Sequence, residues 1–354
     1  MTPDETDLES NGKTVKPESD ELPERDSETL LLGQMSHPHD GVNWRRFVTN
    51  YAALGVLLLL IIVFSVTEPS TFPTVDDLRG IITSQSVLAI LALAVMVPLV
   101  VGEFDLSIAS NFTLTAVLLA ELVSHRVPLP LAFLIVLLAG AAVGLVNAFL
   151  IVRVGVSSFI ATLGVGTVLS GLASWISGNS IIYQGLGGEL STLGNATIVG
   201  IPVTAIYVLV LVLLLWYMLQ HTPLGRQMYA TGYGRNAARL AGIRVERRVV
   251  FAFVLGGTIA GVAGIVYTAL IGSASALEGS SYLLPAFAAV FLGATTIRAG
   301  RFNVWGTVIG VFLLAVGITG LQLAGAQQYI QQIFDGAALI IAVAAARLGA
   351  RSRQ

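Results

Sequence analysis

Ten long apolar segments follow one another along this chain, and they constrain its fold more than any other feature. Each is near the length of about 20 residues that an α-helix needs to cross a bilayer. The segments are continuous apolar runs without alternation, so they predict helices and not the strands of a membrane barrel. The expected fold is all-α, a polytopic integral membrane protein with about ten transmembrane helices inside residues 44–348. The segments are approximately 45–66, 79–101, 106–124, 129–152, 157–177, 201–219, 249–271, 281–297, 302–323 and 327–347.

The arginines predict how this domain is oriented. With the N-terminus in the cytoplasm, only Arg79 and Arg126 fall on the outer side, whereas fourteen other arginines fall at cytoplasmic ends of the segments. Because cytoplasmic loops are enriched in Lys and Arg, this bias predicts an even number of spans and two cytoplasmic termini. The fourteen are Arg45, Arg46, Arg153, Arg226, Arg235, Arg239, Arg244, Arg247, Arg248, Arg298, Arg301, Arg347, Arg351 and Arg353.

Polar segments flank the membrane domain. Residues 1–43 carry eleven acidic and three basic residues, and such a segment buries too little apolar surface to offset the entropy of ordering it. It is predicted to be a disordered, acidic cytoplasmic tail, and it lacks the basic start and apolar run of a signal peptide. Residues 349–354 are expected to form a short basic tail.

Glycines recur at the spacing that lets helices pack closely. Three G-x-x-x-G motifs stand at Gly140–Gly144, Gly257–Gly261 and Gly306–Gly310. A helix surface without side chains allows another backbone to approach, and such packing replaces the hydrophobic drive that lipid cannot supply. The motifs predict contacts between helices of one chain in preference to a dimer interface.

Two carboxylates stand between the second and third segments, in the string Val-Gly-Glu-Phe-Asp-Leu-Ser-Ile at 101–108. A charged side chain at the centre of a bilayer costs about 2.5–3.5 kcal/mol on insertion scales. Glu103 and Asp105 are therefore expected at a helix start, an interface or a water-filled cavity. In one interpretation Asp105 or Ser107 caps the third helix by accepting backbone N–H groups. In the other, which is compatible with it, these side chains line a polar path.

The last segment is unusually polar near its start. A spacing of four places several of its polar side chains on neighbouring faces of one helix. Either this end is wet or packed against polar neighbours, or the stripe lines a path or faces a binding protein. The polar residues are Gln327, Gln328, Gln331, Gln332 and Asp335.

The longest basic loop, at 220–248, lies between the sixth and seventh segments. It holds six arginines and a single acid, Glu246. The stretch from Asn236 to Gly242 fits a short helix closed by a glycine, which adopts the left-handed conformation readily. The arginines beside the seventh segment are explained by the topology rule alone.

Several enzyme classes leave no motif in this chain. The sequence lacks G-x-x-x-x-G-K-[ST], H-E-x-x-H and G-x-S-x-G, and its four histidines show no metal-ligand spacing with the carboxylates. With no cysteine it has no thiolate metal site and no cysteine nucleophile. The sequence predicts a chain that is not an enzyme and binds no cofactor itself.

The polar string resembles the Gly-Gly-Ile-Asp-Leu-Ser-Val-Gly motif of the permease subunits of ribose-type, simple-sugar ABC importers. Gly102, Asp105, Leu106 and Ser107 match the motif, and Glu103 stands where the family commonly has a second glycine. Further strings are similar to that family's in the same order along about 79–347, although Asp335 replaces a frequent lysine. They are Gly-Leu-Val-Asn at 144–147, Phe-Ile-Ala-Thr-Leu-Gly at 159–164, Asn-Ala-Ala-Arg-Leu at 236–240 and Ala-Ala-Val-Phe-Leu-Gly at 288–293.

The resemblance implies an ABC importer permease fold in a bacterial plasma (inner) membrane, in contact with membrane lipid. Such permeases act in pairs, here an expected homodimer with a second permease copy, docked on cytoplasmic ABC ATPase subunits. They receive substrate from an extracytoplasmic sugar-binding protein. ATP would act only through the partner ATPase, and nothing points to nucleic acid. A small neutral sugar, ribose or another monosaccharide, is the substrate that the resemblance implies. The apolar spans hold no basic cluster, which argues against an anionic solute, and nucleosides or other small polar solutes stay open.

The sequence gives two sets of candidate residues, of which the coupling set rests on the resemblance and the path set on the polar side chains in and beside the apolar spans. Closure of the ATPases on ATP would move a coupling helix in the 220–248 loop and tilt the attached sixth and seventh spans between two arrangements. The coupling residues are Arg235, Asn236, Ala237, Ala238, Arg239, Leu240 and Gly242. The candidate translocation path contains Glu103, Asp105, Ser107, Asn111 and Asn147.

Two rival hypotheses stay open on the sequence. An ion-coupled secondary transporter of a small polar solute would use Glu103, Asp105 or Asp335 as titrating groups and would need no ATPase. A membrane-embedded enzyme is the weaker rival, since no nucleophile, metal site or acid–base pair stands out. Dependence of transport on ATP would distinguish the importer from the ion-coupled transporter. Formation of a chemical product would distinguish the enzyme.

Overall fold

The computed structural model of the chain describes residues 44–67, 72, 74–298, 300–327 and 329–351, with side chains described between 53 and 344. The predicted acidic tail and Gln328 lie outside these residues. Within them thirteen α-helices follow one another, with one π-helical segment (Leu150–Val154) and one short antiparallel pair of strands, β1 (Thr197–Ile198) and β2 (Ile201–Pro202). The helices are α1 (Trp44–Thr67), α2 (Val75–Val100), α3 (Ile108–Ser124), α4 (Leu129–Phe149), α5 (Ser158–Ser177), α6 (Glu189–Asn195), α7 (Val203–His221), α8 (Pro223–Tyr233), α9 (Arg235–Leu240), α10 (Val245–Ile271), α11 (Ser280–Ala294), α12 (Val304–Leu323) and α13 (Tyr329–Arg351).

The long helices coincide with the predicted apolar segments. Six are long and apolar enough to cross a membrane, namely α2, α4 with its π-helical end, α5, α7, α10 and α12. Shorter apolar helices occupy the other four segments, at Ala53–Thr67, Ile108–Ser124, Ser280–Ala294 and Tyr329–Ala344. The count of about ten spans and the orientation of the termini remain predictions. The expected basic tail overlaps α13, which continues to Arg351.

Two helices form the centre of the bundle. Every residue of α2 from Ser86 to Val100 is buried, as expected for an apolar helix surrounded by other helices. Helix α10 packs along α4, α3 and α2, and α11 packs between α12 and α13. The amphipathic pattern of a soluble protein is absent from residues 86–100 because no side of this part of α2 is exposed.

The glycine motifs make the closest helix contacts. A Cβ on Gly144 would overlap the carbonyl oxygen of Phe253, and a Cβ on Gly257 would overlap that of Gly140. Helices α4 and α10 therefore touch backbone to backbone, and Gly306 brings α12 against α11 in the same way. The prediction that these motifs pack helices within one chain is confirmed.

Helix α11 begins in the middle of the bundle. The Asn111 amide of α3 donates to the carbonyls of Gly140 and Gly257, each at 3.3 Å, near the midpoints of α4 and α10. Gly279, just before α11, packs so closely on Ala109 and Thr113 that a Cβ there would overlap both. With 15 residues, α11 is about 22 Å long, shorter than the hydrocarbon core of about 30 Å. It is therefore a short helix that starts inside the bundle, at the depth of Asn111.

Candidate functional site

Helix α9 is a short, exposed helix at one end of the bundle. We call this end the basic end, because α8, α9 and the six arginines of the 220–248 loop belong to it. Gly242 ends α9 in the left-handed conformation, with φ +78°. The N–H groups of Gly242 and Ile243 donate to the carbonyls of Arg239 (2.9 Å) and Ala238 (3.0 Å), which closes the last turn. The short helix and its left-handed glycine are confirmed, while the coupling role remains a prediction.

The side chains of α9 divide into one buried anchor and an exposed surface. Ala238 is 4% exposed and packs into the core, whereas Leu240 is 91% exposed. Asn236, Ala237 and Arg239 are also exposed. An isolated apolar side chain on the surface is ordinary by itself. Here it stands at the tip of a basic helix that projects from the bundle.

Arg239 connects α9 to the first turn of α10. Its Nε and Nη2 donate to Glu246 Oε1 at 3.1 and 2.7 Å. Both side chains are about half exposed, so this ion pair contributes only about 0–1 kcal/mol to stability. The pair orients Arg239 without fixing it firmly.

A second ion pair connects α9 to the turn between α2 and α3. Arg235 binds Glu103, whose side chain is 7% exposed, while the Arg235 side chain is 43% exposed. Gly102 ends α2 with φ +81°, and the N–H groups of Gly102 and Glu103 donate to Leu99 O (3.0 Å) and Pro98 O (3.1 Å). The left-handed glycine places Glu103 at the end of α2.

Helix α8 lies against the ends of two spanning helices. A Cβ on Gly232 would overlap the Val100 carbonyl oxygen at the end of α2. The Tyr229 hydroxyl donates to Phe302 O at 2.8 Å, and the Arg301 guanidinium lies 3.5 Å from the centre of the Tyr229 ring. Burial raises the pKa of the Tyr229 phenol, and the nearby Arg301 opposes that rise. Helix α8 thus connects the end of α2 to the loop before α12.

Three of the five candidate path residues, Asp105, Ser107 and Asn147, meet in a buried polar cluster. Asp105 Oδ1 accepts from the N–H (2.9 Å) and hydroxyl (2.6 Å) of Ser107, and the Asn147 amide donates to Ser107 Oγ at 2.7 Å. Asn111 lies about one helical turn farther along α3. Asp105 accepts the N–H of the residue that precedes α3, and the Ser107 side chain makes no capping bond. The predicted capping is therefore only partly seen, as an Asp turn just before the helix.

The turn between α2 and α3 is also held by α5. The N–H of Phe104 donates to Ser158 Oγ (3.3 Å), and that of Leu106 donates to Thr162 Oγ1 (3.0 Å). Together with the Asn147 contact, these bonds join the turn to α4 and α5. The turn therefore has contacts with α4, α5 and, through Glu103, α9.

All five candidate path residues are buried, with exposed fractions of 6% or less. They are thus packed in this conformation, and their role in a path remains a prediction. The sequence missed the ion pair between Glu103 and Arg235 and the contact of Tyr229 with Arg301. The one signal for the first was Glu103 in place of the glycine common in the resembled motif. Among the described residues, no group of three His, Cys, Asp or Glu side chains could hold a metal ion.

Replacing Ser107 by alanine is expected to destabilise the chain by about 2 kcal/mol. The change leaves the Asn147 amide without its acceptor and removes one donor from Asp105, and each buried unsatisfied group costs about 1–3 kcal/mol. The free energy of unfolding in mixed detergent micelles measures the effect. Ser170→Ala is the control, since its hydroxyl is exposed and donates to Ser110 Oγ and Gly166 O. An equal loss in both variants would contradict the prediction.

Comparisons with known proteins match nearly the whole membrane domain. A family model described as "Branched-chain amino acid transport system / permease component" matches residues 78–343. The ribose import permease protein RbsC of Haemophilus influenzae is 32% identical over 303 residues, which cover 85% of this chain and 94% of that protein. The D-allose transport system permease protein AlsC of Escherichia coli is 30% identical over 307 residues, 86% of this chain and 94% of that protein.

The name of a third relative gives a different transported molecule. The autoinducer 2 import system permease protein LsrD of Salmonella typhimurium is 32% identical over 308 residues, covering 85% of this chain and 92% of that protein. No solved structure matches the chain significantly.

Proposed function

Because this chain belongs to the family of branched-chain amino acid transport system permease components, we propose that it is the membrane-spanning subunit of an ATP-driven importer of a small neutral sugar. The named relatives import ribose, D-allose and autoinducer 2. Sugar hydroxyls need neutral donors and acceptors. As a multi-pass protein of the inner membrane, the chain would supply the path while an ATPase partner hydrolyses ATP.

The basic end is the cytoplasmic end in this proposal. Its arginines support that orientation, because positive loops stay in the cytoplasm. The observation that carries the coupling role is α9 itself, a basic helix whose last side chain, Leu240, is 91% exposed. An apolar side chain ringed by polar groups fits the groove of a partner protein. That partner is the cytoplasmic ABC ATPase.

Movement of α9 would reach the bundle by two routes. The first is covalent, since α8 precedes α9 and α10 follows it at Val245. The second is the ion pair between Arg235 and Glu103, which connects α9 to the turn between α2 and α3. A path past Asp105 and Asn147 would then open only when that turn moves, because the cluster is closed by its own hydrogen bonds.

The partners complete the importer. A sugar-binding protein would deliver substrate at the end opposite the basic end, and a second copy of this chain would form the other wall of the path. We expect two identical copies because the permeases that this chain resembles act in pairs. Cross-linking the complex in native membranes gives the stoichiometry directly.

The test is uptake into proteoliposomes that hold this chain, its candidate ATPase and its candidate binding protein. We expect ATP-dependent accumulation of radiolabelled D-ribose, D-allose or another monosaccharide of a panel, with none when any of the three proteins is omitted. Liposomes with the chain alone and an imposed proton gradient are the control. Uptake by these control liposomes without any dependence on ATP would overturn the proposal in favour of an ion-coupled transporter.

A further inference from the structure

A polar pocket lies between the start of α11 and the outer part of α13. Its volume is about 350 Å³, within the range of small-molecule sites. Five of its seven lining side chains are polar, which is costly on a surface that faces lipid. The lining residues are Ser280, Ser281, Leu284, Pro285, Gln331, Gln332 and Asp335. We call this cavity the α11–α13 pocket.

The depth of the pocket follows from the point at which α11 begins. Helix α11 starts beside Ala109 and Thr113, at the level where Asn111 bonds to the midpoints of α4 and α10. Ser280 and Ser281 therefore lie near the middle of the bundle. Broken helices at mid-membrane depth persist where they line a cavity, and transporters commonly place solute sites there.

Asp335 supplies the observation that points to a ligand. The residue is 6% exposed, lines the pocket, and its Oδ1 has no hydrogen-bond partner among the described residues. A buried carboxylate oxygen without a donor is unfavourable. A ligand that brings hydroxyl groups into the pocket would supply that donor.

The chemistry of the lining selects the class of ligand. Two glutamine amides and two serine hydroxyls both donate and accept, and Asp335 accepts. Neither Lys nor Arg is among the residues that line the pocket, so an anionic solute would meet Asp335 without a compensating charge. The lining fits a neutral molecule with several hydroxyl groups.

We propose that the α11–α13 pocket binds the transported sugar midway through the membrane, with Asp335 accepting a sugar hydroxyl. This inference rests on the proposed import function and deepens it by placing a solute site in the chain itself. On this proposal the polar stripe of the last segment lines the path of the solute, at Gln331, Gln332 and Asp335.

The chain contains no cysteine, so an introduced cysteine reports one position. In the complete transporter in lipid nanodiscs, Ser281→Cys and Gln332→Cys are expected to react with a charged, membrane-impermeant thiol reagent at least about tenfold faster than Leu134→Cys. Leu134 is 54% exposed on an apolar face of α4 and serves as the lipid-facing control. Sugar-loaded binding protein with ATP is expected to slow the reaction at both pocket positions.

Three results would overturn the site. The first is reaction no faster than that of Leu134→Cys, which means a closed or lipid-filled pocket. The second is spontaneous cross-linking of Gln332→Cys between two copies, which means that a second copy of this chain occupies the face. The third is unchanged uptake after complete modification at Ser281→Cys.

Asp335 is tested by a matched pair of substitutions. Asp335→Leu removes the acceptor and is expected to lower ATP-dependent uptake at least about tenfold, as loss of a hydrogen bond to a charged group does. Asp335→Asn keeps an acceptor oxygen and is expected to retain more uptake than Asp335→Leu. Retention of the ATPase in both purified variants shows that they are folded.

Different results would overturn the import function and the solute site. Wild-type liposomes without ATP-dependent uptake of any sugar would overturn the import function. Wild-type uptake that persists unchanged in Asp335→Leu would leave the import function standing and remove the solute site.

Discussion

Replacing Leu240 by aspartate is expected to lower ATP-dependent uptake about a hundredfold while leaving the membrane domain folded. Leu240 is 91% exposed at the tip of α9, so the change removes no packing within the chain. Docked in a partner groove, a leucine side chain stabilises the complex by about 1.5–3 kcal/mol. A carboxylate there loses that contribution and adds the cost of an unpaired charge, so a total of about 3 kcal/mol or more corresponds to about a hundredfold weaker docking.

Retention of the ATPase on the affinity-purified permease measures this effect directly. Val199→Asp is the matched control, because Val199 is 96% exposed in the turn between the two short strands, far along the chain from α9. We expect the control to retain the ATPase at the wild-type level. Full retention in Leu240→Asp would exclude α9 as the docking element.

Reversal of charge at Arg235 is expected to lower uptake about tenfold without loss of the ATPase. Breaking a buried ion pair costs about 3–5 kcal/mol, but the Arg235 side chain is 43% exposed. Solvent screening therefore reduces the cost to about 1–2 kcal/mol, or about tenfold. In Arg235→Glu the carboxylate of Glu103 would meet a second negative charge. The turn between α2 and α3 would then no longer move together with α9.

A double-mutant cycle isolates this pair from other effects of the charge. Glu103→Gly installs the residue common in the resembled motif and removes the partner of Arg235. In that background Arg235→Glu is expected to change uptake by about twofold or less, since no buried carboxylate remains to be repelled. Equal losses in the two backgrounds would show that Arg235 acts through the ATPase and not through Glu103. Sugar transported per ATP hydrolysed is the informative readout.

Much of the fold could be predicted from apolar length alone. A helix that crosses a bilayer must form all its backbone hydrogen bonds internally and keep polar side chains out of the lipid. The ends of the helix are therefore visible in the sequence as the ends of an apolar run. Close packing at the glycine motifs was equally predictable, because only a missing side chain permits that approach, but which helices they join was not. The left-handed end of α9 followed from Gly242 for the same local reason.

The site itself depended on contacts between distant parts of the chain. Glu103 and Arg235 are ordinary charged residues of two loops, and the packing of Gly232 on the end of α2 helps to bring them together. The segment 281–297 is short and contains Pro285, so a broken helix was predictable there, but the mid-bundle depth at which the 15-residue helix α11 begins was not. A sequence pattern gives the length of such a helix but not the depth at which it begins.

The crossing of α4 and α10 has a mechanical consequence. No side chain separates the backbones at Gly140 and Gly257, so a tilt of α10 would pivot about this crossing. From Gly257, α10 extends about 18 Å to Val245, beside α9, and about 21 Å to Ile271. The two arms are nearly equal, so a tilt that lifts the basic end of α10 would displace the other end by a similar distance in the opposite direction.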